Sequence, residues 1–143
     1  MKPALMIAAL ATPALMLAYL ALEQRSASAP AGNQVMPVEQ AFVITHERTD
    51  TVVQLNINIT PGTYLYRDKL QLTAENLTLG NWQLPAGELH QDEYFGKSHV
   101  FREPLTLILP LQHATRNSRL TLSYQGCGTG FCYPPQQLAI ELN

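Results

Sequence analysis

The sequence has 143 residues, 9 Lys+Arg against 11 Asp+Glu, a formal net charge of −2 and a pI near 6.0. That balance excludes a nucleic-acid binder, which needs a dense positive field to meet the phosphate backbone. The length fits one domain, and 8 Gly with 10 Pro is close to average usage, so neither disorder nor a fibrous repeat is indicated.

In chain order, Met1-Lys2-Pro3 leads into Ala4–Leu22, an apolar run without a charge, and then into Glu23-Gln24-Arg25-Ser26-Ala27-Ser28-Ala29. A short basic start, an apolar centre and a small-x-small end describe an export signal peptide cut after Ala29. The run is also long enough to span a bilayer, so an uncleaved anchor over residues 4–22 is the second reading. With Lys2 as the positive flank, both readings place the chain beyond residue 30 outside the cytoplasm. Residues 30–37 have a linker's composition, and the folded domain is expected over 38–143, about 105 residues with one modest core.

From residue 42 the hydrophobic period is two. Val53, Leu55, Ile57 and Ile59 alternate with Gln54, Asn56 and Asn58, the pattern of a strand with one wet and one buried face. Further strands are predicted at Phe42–His46, Tyr64–Arg67, Leu70–Thr73, Leu77–Leu79, Leu105–Leu109 with a stop at Pro110, Leu120–Tyr124 and Leu138–Leu142. Turn signals separate them at Thr60-Pro61-Gly62, Leu79-Gly80-Asn81, Pro85-Ala86-Gly87 and Arg116-Asn117-Ser118. About eight short strands at this spacing predict an all-β, antiparallel, immunoglobulin-like sandwich, although Trp82 precedes both cysteines and the antibody Cys-Trp-Cys order is absent.

The two cysteines, Cys127 and Cys132, lie in Tyr124-Gln125-Gly126-Cys127-Gly128-Thr129-Gly130-Phe131-Cys132-Tyr133-Pro134-Pro135. An even count in an exported chain argues for a disulfide. A loop this short removes only about 2 kcal/mol of unfolded-state entropy, less than bonds that tie distant strands. A short-range pair in a Gly-rich turn is instead the kind expected to cycle between thiol and disulfide, although a plain structural staple is the commoner use of such bonds. No cofactor beyond the pair is expected. His46, His90, His99 and His113 are scattered singly, read as surface residues, and do not complete the ligand set of a zinc or copper site.

The segment Tyr124–Pro135 resembles the active-site run of the amino-terminal periplasmic domain of the DsbD thiol:disulfide interchange family. Val38-Glu39-Gln40-Ala41-Phe42, Gly62-Thr63-Tyr64-Leu65-Tyr66-Arg67, Leu84-Pro85-Ala86-Gly87 and His90-Gln91-Asp92-Glu93-Tyr94-Phe95-Gly96-Lys97-Ser98 extend the resemblance over nearly the whole folded region. It implies an immunoglobulin-like fold and a relay of reducing equivalents from a membrane-embedded electron transporter to periplasmic thioredoxin-like proteins. By position, Cys132 would form mixed disulfides with partners and Cys127 would resolve them. Tyr64 and Tyr66 would flank the pair, Asp92 and Glu93 would lie beside it, and Asp92–Gly96, with Tyr94, Phe95 and Gly96, would form a cap loop over it.

Physically, carboxylates near a thiol disfavour its thiolate and keep the reduced pair quiet until a partner docks, or else accept a thiol proton during exchange. An aromatic lid would cover sulfur with apolar surface. Two departures stand out: four residues separate the cysteines where the family usually has five, and Tyr94-Phe95 replaces the usual Phe-Tyr. Family members also carry a multi-helix membrane domain and a thioredoxin-like domain, so this chain is expected to act as a free-standing module that draws electrons from a separate donor. The competing function is a non-catalytic binding or assembly domain with a structural disulfide; a metal-handling or redox-sensing use of the thiols is the third.

Overall fold

The computed structural model describes residues 35–142; the predicted leader and most of the predicted linker lie outside them. A single helical turn, α1 (Val38–Ala41), buries Ala41 and is followed by ten strands. These are β1 (Phe42–Arg48), β2 (Val52–Ile59), β3 (Tyr64–Tyr66), β4 (Gln71–Leu79), β5 (Glu88–Asp92), β6 (Gly96–Phe101), β7 (Leu105–Tyr124), β8 (Gly126–Gly128), β9 (Phe131–Cys132) and β10 (Gln136–Glu141). A 3-10 turn over Arg67–Lys69 joins β3 to β4.

One sheet runs β1-β2-β7-β10 with β4 also on β7, the other runs β5-β6-β3-β8-β9, and all pairings are antiparallel. The protein is an all-β, immunoglobulin-like sandwich. On β2 the predicted alternation puts Val53, Leu55, Ile57 and Ile59 inside, each at most 3% exposed, and burial of each such side chain contributes about 2 kcal/mol. Across the core they share one apolar cluster with Leu107, Leu109, Leu120 and Leu122 of β7 and with Leu65 and Phe101 of the other sheet. On the wet face, Asn56 Oδ1 accepts hydrogen bonds from Gln54 and from Thr106 of β7. Tyr133 donates to the carbonyl of Met36 at 2.7 Å, which ties the start of the domain to its end.

Three sequence expectations are corrected. Pro110 does not end a strand: β7 pairs with β2 up to Pro110 and with β4 from Leu111 onward. Proline has no N–H to give, and here only its carbonyl is used, accepting from Gly80 at 2.8 Å, so the strand passes through it at the point where it changes partners. Arg116-Asn117-Ser118 is not a turn between strands but a bulge within β7 opposite Asn76, which also joins the two predicted strands 70–73 and 77–79 into β4. Asn76 and Asn117 take φ of 58° and 62° there, and Ser118 Oγ donates to the carbonyls of Asn76 and Thr115. The third correction concerns β5 and β6, which the hydrophobic pattern does not predict. Their residues are largely exposed and carry no apolar alternation, so the signal that marks β2 has nothing to act on.

Candidate redox site

The site is built where β3 meets β8. Tyr64 pairs with Cys127 and Leu65 with Gly126 across that ladder, while Cys127 faces Cys132 across the β8–β9 hairpin. Thr129 and Gly130 close the hairpin, Gly130 with φ of 77°, so the four intervening residues reduce to one facing pair, Gly128 and Phe131, and a two-residue loop. At Gly128 a Cβ would lie 2.6 Å from the Phe131 ring, so any larger residue there would have to push that ring aside. The consequence is a disulfide between directly opposed residues, with Cα atoms 4.0 Å apart. Cys127 is fully buried and Cys132 is partly exposed, so Cys132 is the member of the pair nearer to solvent.

β3 is buried on both faces. Leu65 enters the main core, while Tyr64 and Tyr66, two residues apart and so on one face, form a second cluster with Val100 and Cys127. Their rings meet edge to face with centroids 5.5 Å apart. Both hydroxyls donate to Asp92 Oδ2, that of Tyr64 at 3.0 Å. The Tyr66 oxygen also lies 3.2 Å from Cys127 Sγ and 4.0 Å from Cys132 Sγ. Burial, above all, raises both phenols above their ordinary range, and the Asp92 charge adds to it, so both stay protonated and act as donors.

Asp92 closes β5. Its Oδ1 accepts the backbone N–H groups of Tyr94 at 3.0 Å and Phe95 at 2.8 Å. Burial is the largest single influence on its carboxyl and pushes the pKa up, but the N–H of Phe95, the two tyrosine hydroxyls and the N–H of Tyr94 together outweigh it and hold it down at about 2. Because the folded value lies below the ordinary value of 3.8, the stabilisation is complete above about pH 4 and is lost as pH falls through 2. The side chain is only 10% exposed, so the effect is worth about 2 kcal/mol. The thermal midpoint is expected to drop by roughly 10 °C between pH 4 and pH 2. In Asp92→Asn most of that drop should disappear; melting curves across this range that match wild type would show that Asp92 does not carry it.

The structure brings Cys127, Cys132, Tyr64, Tyr66 and Asp92 together. Glu93 is exposed and lines an open cleft of about 470 Å³ beside the pair. The predicted cap loop is the tip of the β5–β6 hairpin, with Gly96 at φ 66° supplying the left-handed residue such a turn needs. Phe95, 41% exposed, packs edge to face on Tyr66 with centroids 4.7 Å apart, and Lys69 Nζ lies 4.9 Å from its ring centroid. Tyr94 lines the cleft instead, so the two cap aromatics have different surroundings.

Sequence reasoning passes over His90 and Arg102. His90 shares the Asp92 face of β5, meets the Tyr64 ring edge to face with centroids 4.6 Å apart, and places Nε2 3.4 Å from Asp92 Oδ2. Arg102 lies over the Tyr64 ring, 4.7 Å from its centroid, bonds Glu88 through Nε, and sets Nη2 3.0 Å from His90 Nδ1. The signal was available: Glu88, His90 and Asp92 alternate along five residues, which puts three polar groups on one strand face.

Residues 32–143 match the family described as thiol:disulfide interchange protein DsbD, N-terminal. The chain belongs to that family. It is 39% identical over 116 residues to the DsbD of Escherichia coli O157:H7, which covers 80% of this chain and 20% of that protein. It is 41% identical over 110 residues to the DsbD of Haemophilus ducreyi, covering 77% and 19%. The chain therefore spans about a fifth of the length of these curated relatives. Among solved structures, the Neisseria meningitidis DsbD N-terminal domain in the reduced form matches with a TM-score of 0.68 at 32% identity, over 77% of this chain and 90% of that one. The same Neisseria domain, in its complex with the PilB N-terminal domain, matches with a TM-score of 0.64 at 30% identity, over 77% and 88%. The DsbD relatives are thiol:disulfide interchange proteins, and this chain carries a redox-capable cysteine pair in the same fold.

Proposed function

We propose that this DsbD N-terminal-family chain is a periplasmic protein thiol:disulfide oxidoreductase module that passes electrons from a membrane-embedded transporter to thioredoxin-like proteins. The observation that carries the reading is the asymmetric pair: a partly exposed Cys132 bonded to a fully buried Cys127, beneath a tyrosine hydroxyl that touches both. The Neisseria relative's complex with a PilB domain supports a protein partner. The composition of the leader, basic then apolar then small, supports the compartment.

In the reduced protein, Cys132 thiolate attacks a partner disulfide; a Cys132–partner bond forms, the partner's own bond breaks, and its second sulfur leaves as thiolate with the electron pair. Cys127 thiolate then attacks Cys132, closing the internal disulfide and releasing the partner's first sulfur. The partner gains two electrons and two protons, and this chain loses them. The Cys127 proton passes to the Tyr66 oxygen as Tyr66 gives its own to Asp92, which returns it to solvent in the cleft. With the cap closed this transfer is steeply uphill, because Asp92 is held at about 2 while a thiol ordinarily titrates near 8.5, a gap of about 9 kcal/mol. Opening the hairpin tip so that the Tyr94 and Phe95 N–H groups leave Asp92 makes it a better base, so a docking partner that moves the tip eases proton removal.

The test is the reduction potential of Cys127/Cys132 in the full chain, read from free thiols in glutathione or dithiothreitol buffers. A value between roughly −180 and −270 mV is expected for an exchange protein. A bond that survives to well below about −300 mV behaves as a structural one and would replace this reading with that of a binding domain.

A further inference from the structure

We propose that His90 is a positioning residue whose Nε2–H takes over from Tyr66 as donor to Asp92 when the Tyr66 hydroxyl turns to the Cys127 thiolate. The inference rests on the proposed exchange function. It starts from two buried polar atoms that, among the described residues, have no hydrogen-bond partner: His90 Nε2 and Ser98 Oγ. They belong to residues that face each other across the β5–β6 ladder. Hydrogen bonding is thus incomplete beside Asp92 in the disulfide form, in a molecule whose other buried side chains, among the described residues, are satisfied.

The proton inventory explains why Nε2 has no partner. Arg102 can only donate, so His90 Nδ1, 3.0 Å from its Nη2, must be the accepting nitrogen, and the proton of the neutral ring is on Nε2. That N–H lies beside Asp92 Oδ2 at 3.4 Å, near enough for attraction but without hydrogen-bond geometry. A carboxylate has about four acceptor positions. Tyr64, Tyr66 and the N–H groups of Tyr94 and Phe95 already fill them, which leaves no place for a fifth donor.

A place opens in one state of the exchange. When Cys127 is a thiolate and Asp92 has released the relayed proton, the single hydroxyl proton of Tyr66 lies toward sulfur, 3.2 Å away in the disulfide form. That needs only rotation of the hydroxyl, not of the ring. Asp92, 10% exposed, then lacks one donor, and a buried charge short of a donor is costly. His90, held by Arg102 and by the Tyr64 ring, is already within 3.4 Å and supplies it by tilting its ring so that the Nε2–H points at Oδ2, with a shift of a few tenths of an ångström. Arg102 is fixed in turn by Glu88, so the donor is held ready from outside the pair.

The experiment uses reduced full-length protein mixed rapidly with glutathione disulfide. It resolves formation of the Cys132–glutathione mixed disulfide from the second step, in which Cys127 attacks Cys132, the Cys132–glutathione bond breaks and glutathione leaves as thiolate. His90→Asn keeps an acceptor near the Nδ1 position and places nothing at Nε2; His90→Gln carries an amide N–H near the Nε2 position. H90N is expected to slow the second step about tenfold, the worth of one hydrogen bond to a charge, with the first step unchanged, and H90Q to stay within about twofold of wild type. Wild-type second-step rates in folded H90N, or equal slowing in H90Q, would overturn the proposal. Should H90N fail to fold, the imidazole N–H of Tyr66→Phe decides: there Asp92 permanently lacks the Tyr66 donor, and the Nε2 proton is expected downfield and slow to exchange, whereas an imidazole N–H identical to wild type refutes the swap. If wild-type protein itself neither forms nor resolves the mixed disulfide, the exchange reading fails, an outcome separate from any failure of the histidine variants.

Discussion

Cys127→Ser is expected to capture partners and hold them. Cys132 is the partly exposed sulfur, so it can still attack a disulfide and form the mixed species, but the buried group that would expel the partner is then a hydroxyl. The resolving attack is intramolecular between directly opposed residues 4.0 Å apart at Cα. Reactions so arranged have effective molarities far above any external thiol concentration, so release should slow by more than about a thousandfold. Cys132→Ser is expected to fail differently, with no mixed disulfide at all, because the remaining thiol is fully buried beneath Tyr66. Mass spectrometry of quenched reactions with glutathione disulfide separates the two. Equal trapping by both variants would mean that the cysteines are interchangeable and that the buried–exposed asymmetry does not set their order of attack.

Gly126→Ala is expected to be strongly destabilising. A Cβ at Gly126 would lie 2.3 Å and 2.8 Å from two ring carbons of Phe42 and 2.5 Å from the carbonyl oxygen of Tyr64. Neither neighbour can yield cheaply. Phe42 is wedged edge to face against Tyr124 and Tyr133 at 6.1 Å and 5.7 Å, and the Tyr64 carbonyl belongs to the β3 backbone that pairs with β8. The expected loss is about 3 kcal/mol, a large share of the roughly 5–15 kcal/mol that holds a typical domain, and roughly 15 °C in thermal midpoint. Because β8 also carries Cys127, the shift should loosen Cys127 from Tyr66, so surviving folded protein should lose exchange rate as well. A midpoint within about 3 °C of wild type would show that the β3–β8 contact relaxes freely.

How far the sequence is legible depends on what each residue has to do locally. The period-two runs on β2 and at the end of β7 are readable because burial of alternate side chains is a property of a strand and its own two faces. The cysteine run stands out by its spacing, and the paired tyrosines and Asp92, the first residue of the cap segment, are carried by the family resemblance; the structure gathers Cys127, Cys132, Tyr64, Tyr66 and Asp92 into one cluster. Glu93, adjacent to Asp92 and of the same charge, cannot be told from it by type alone. The two separate because strand alternation ends at Asp92, whose carboxylate caps the turn, while Glu93 lies in the turn itself and is exposed.

Pro110, the bulge at Arg116–Ser118 and the histidine are misread for one physical reason. Each local signal is true of an isolated segment: proline gives no N–H, Arg-Asn-Ser favours a turn, and a lone histidine belongs on the surface. What each becomes depends on the neighbour across the sheet: β2 handing β7 to β4 at Pro110, Asn76 opposite the bulge, and Arg102 beside Nδ1 of His90. By itself, then, the sequence determined the alternating strand faces and singled out the close-spaced cysteine pair, since those are set by side-chain type, alternation and spacing, while the residues around the pair were carried by the family resemblance. Only the tertiary structure decided which sulfur is buried, which carboxylate receives the tyrosine protons and which nitrogen of His90 carries its own, because each is set by contacts between segments far apart in the chain.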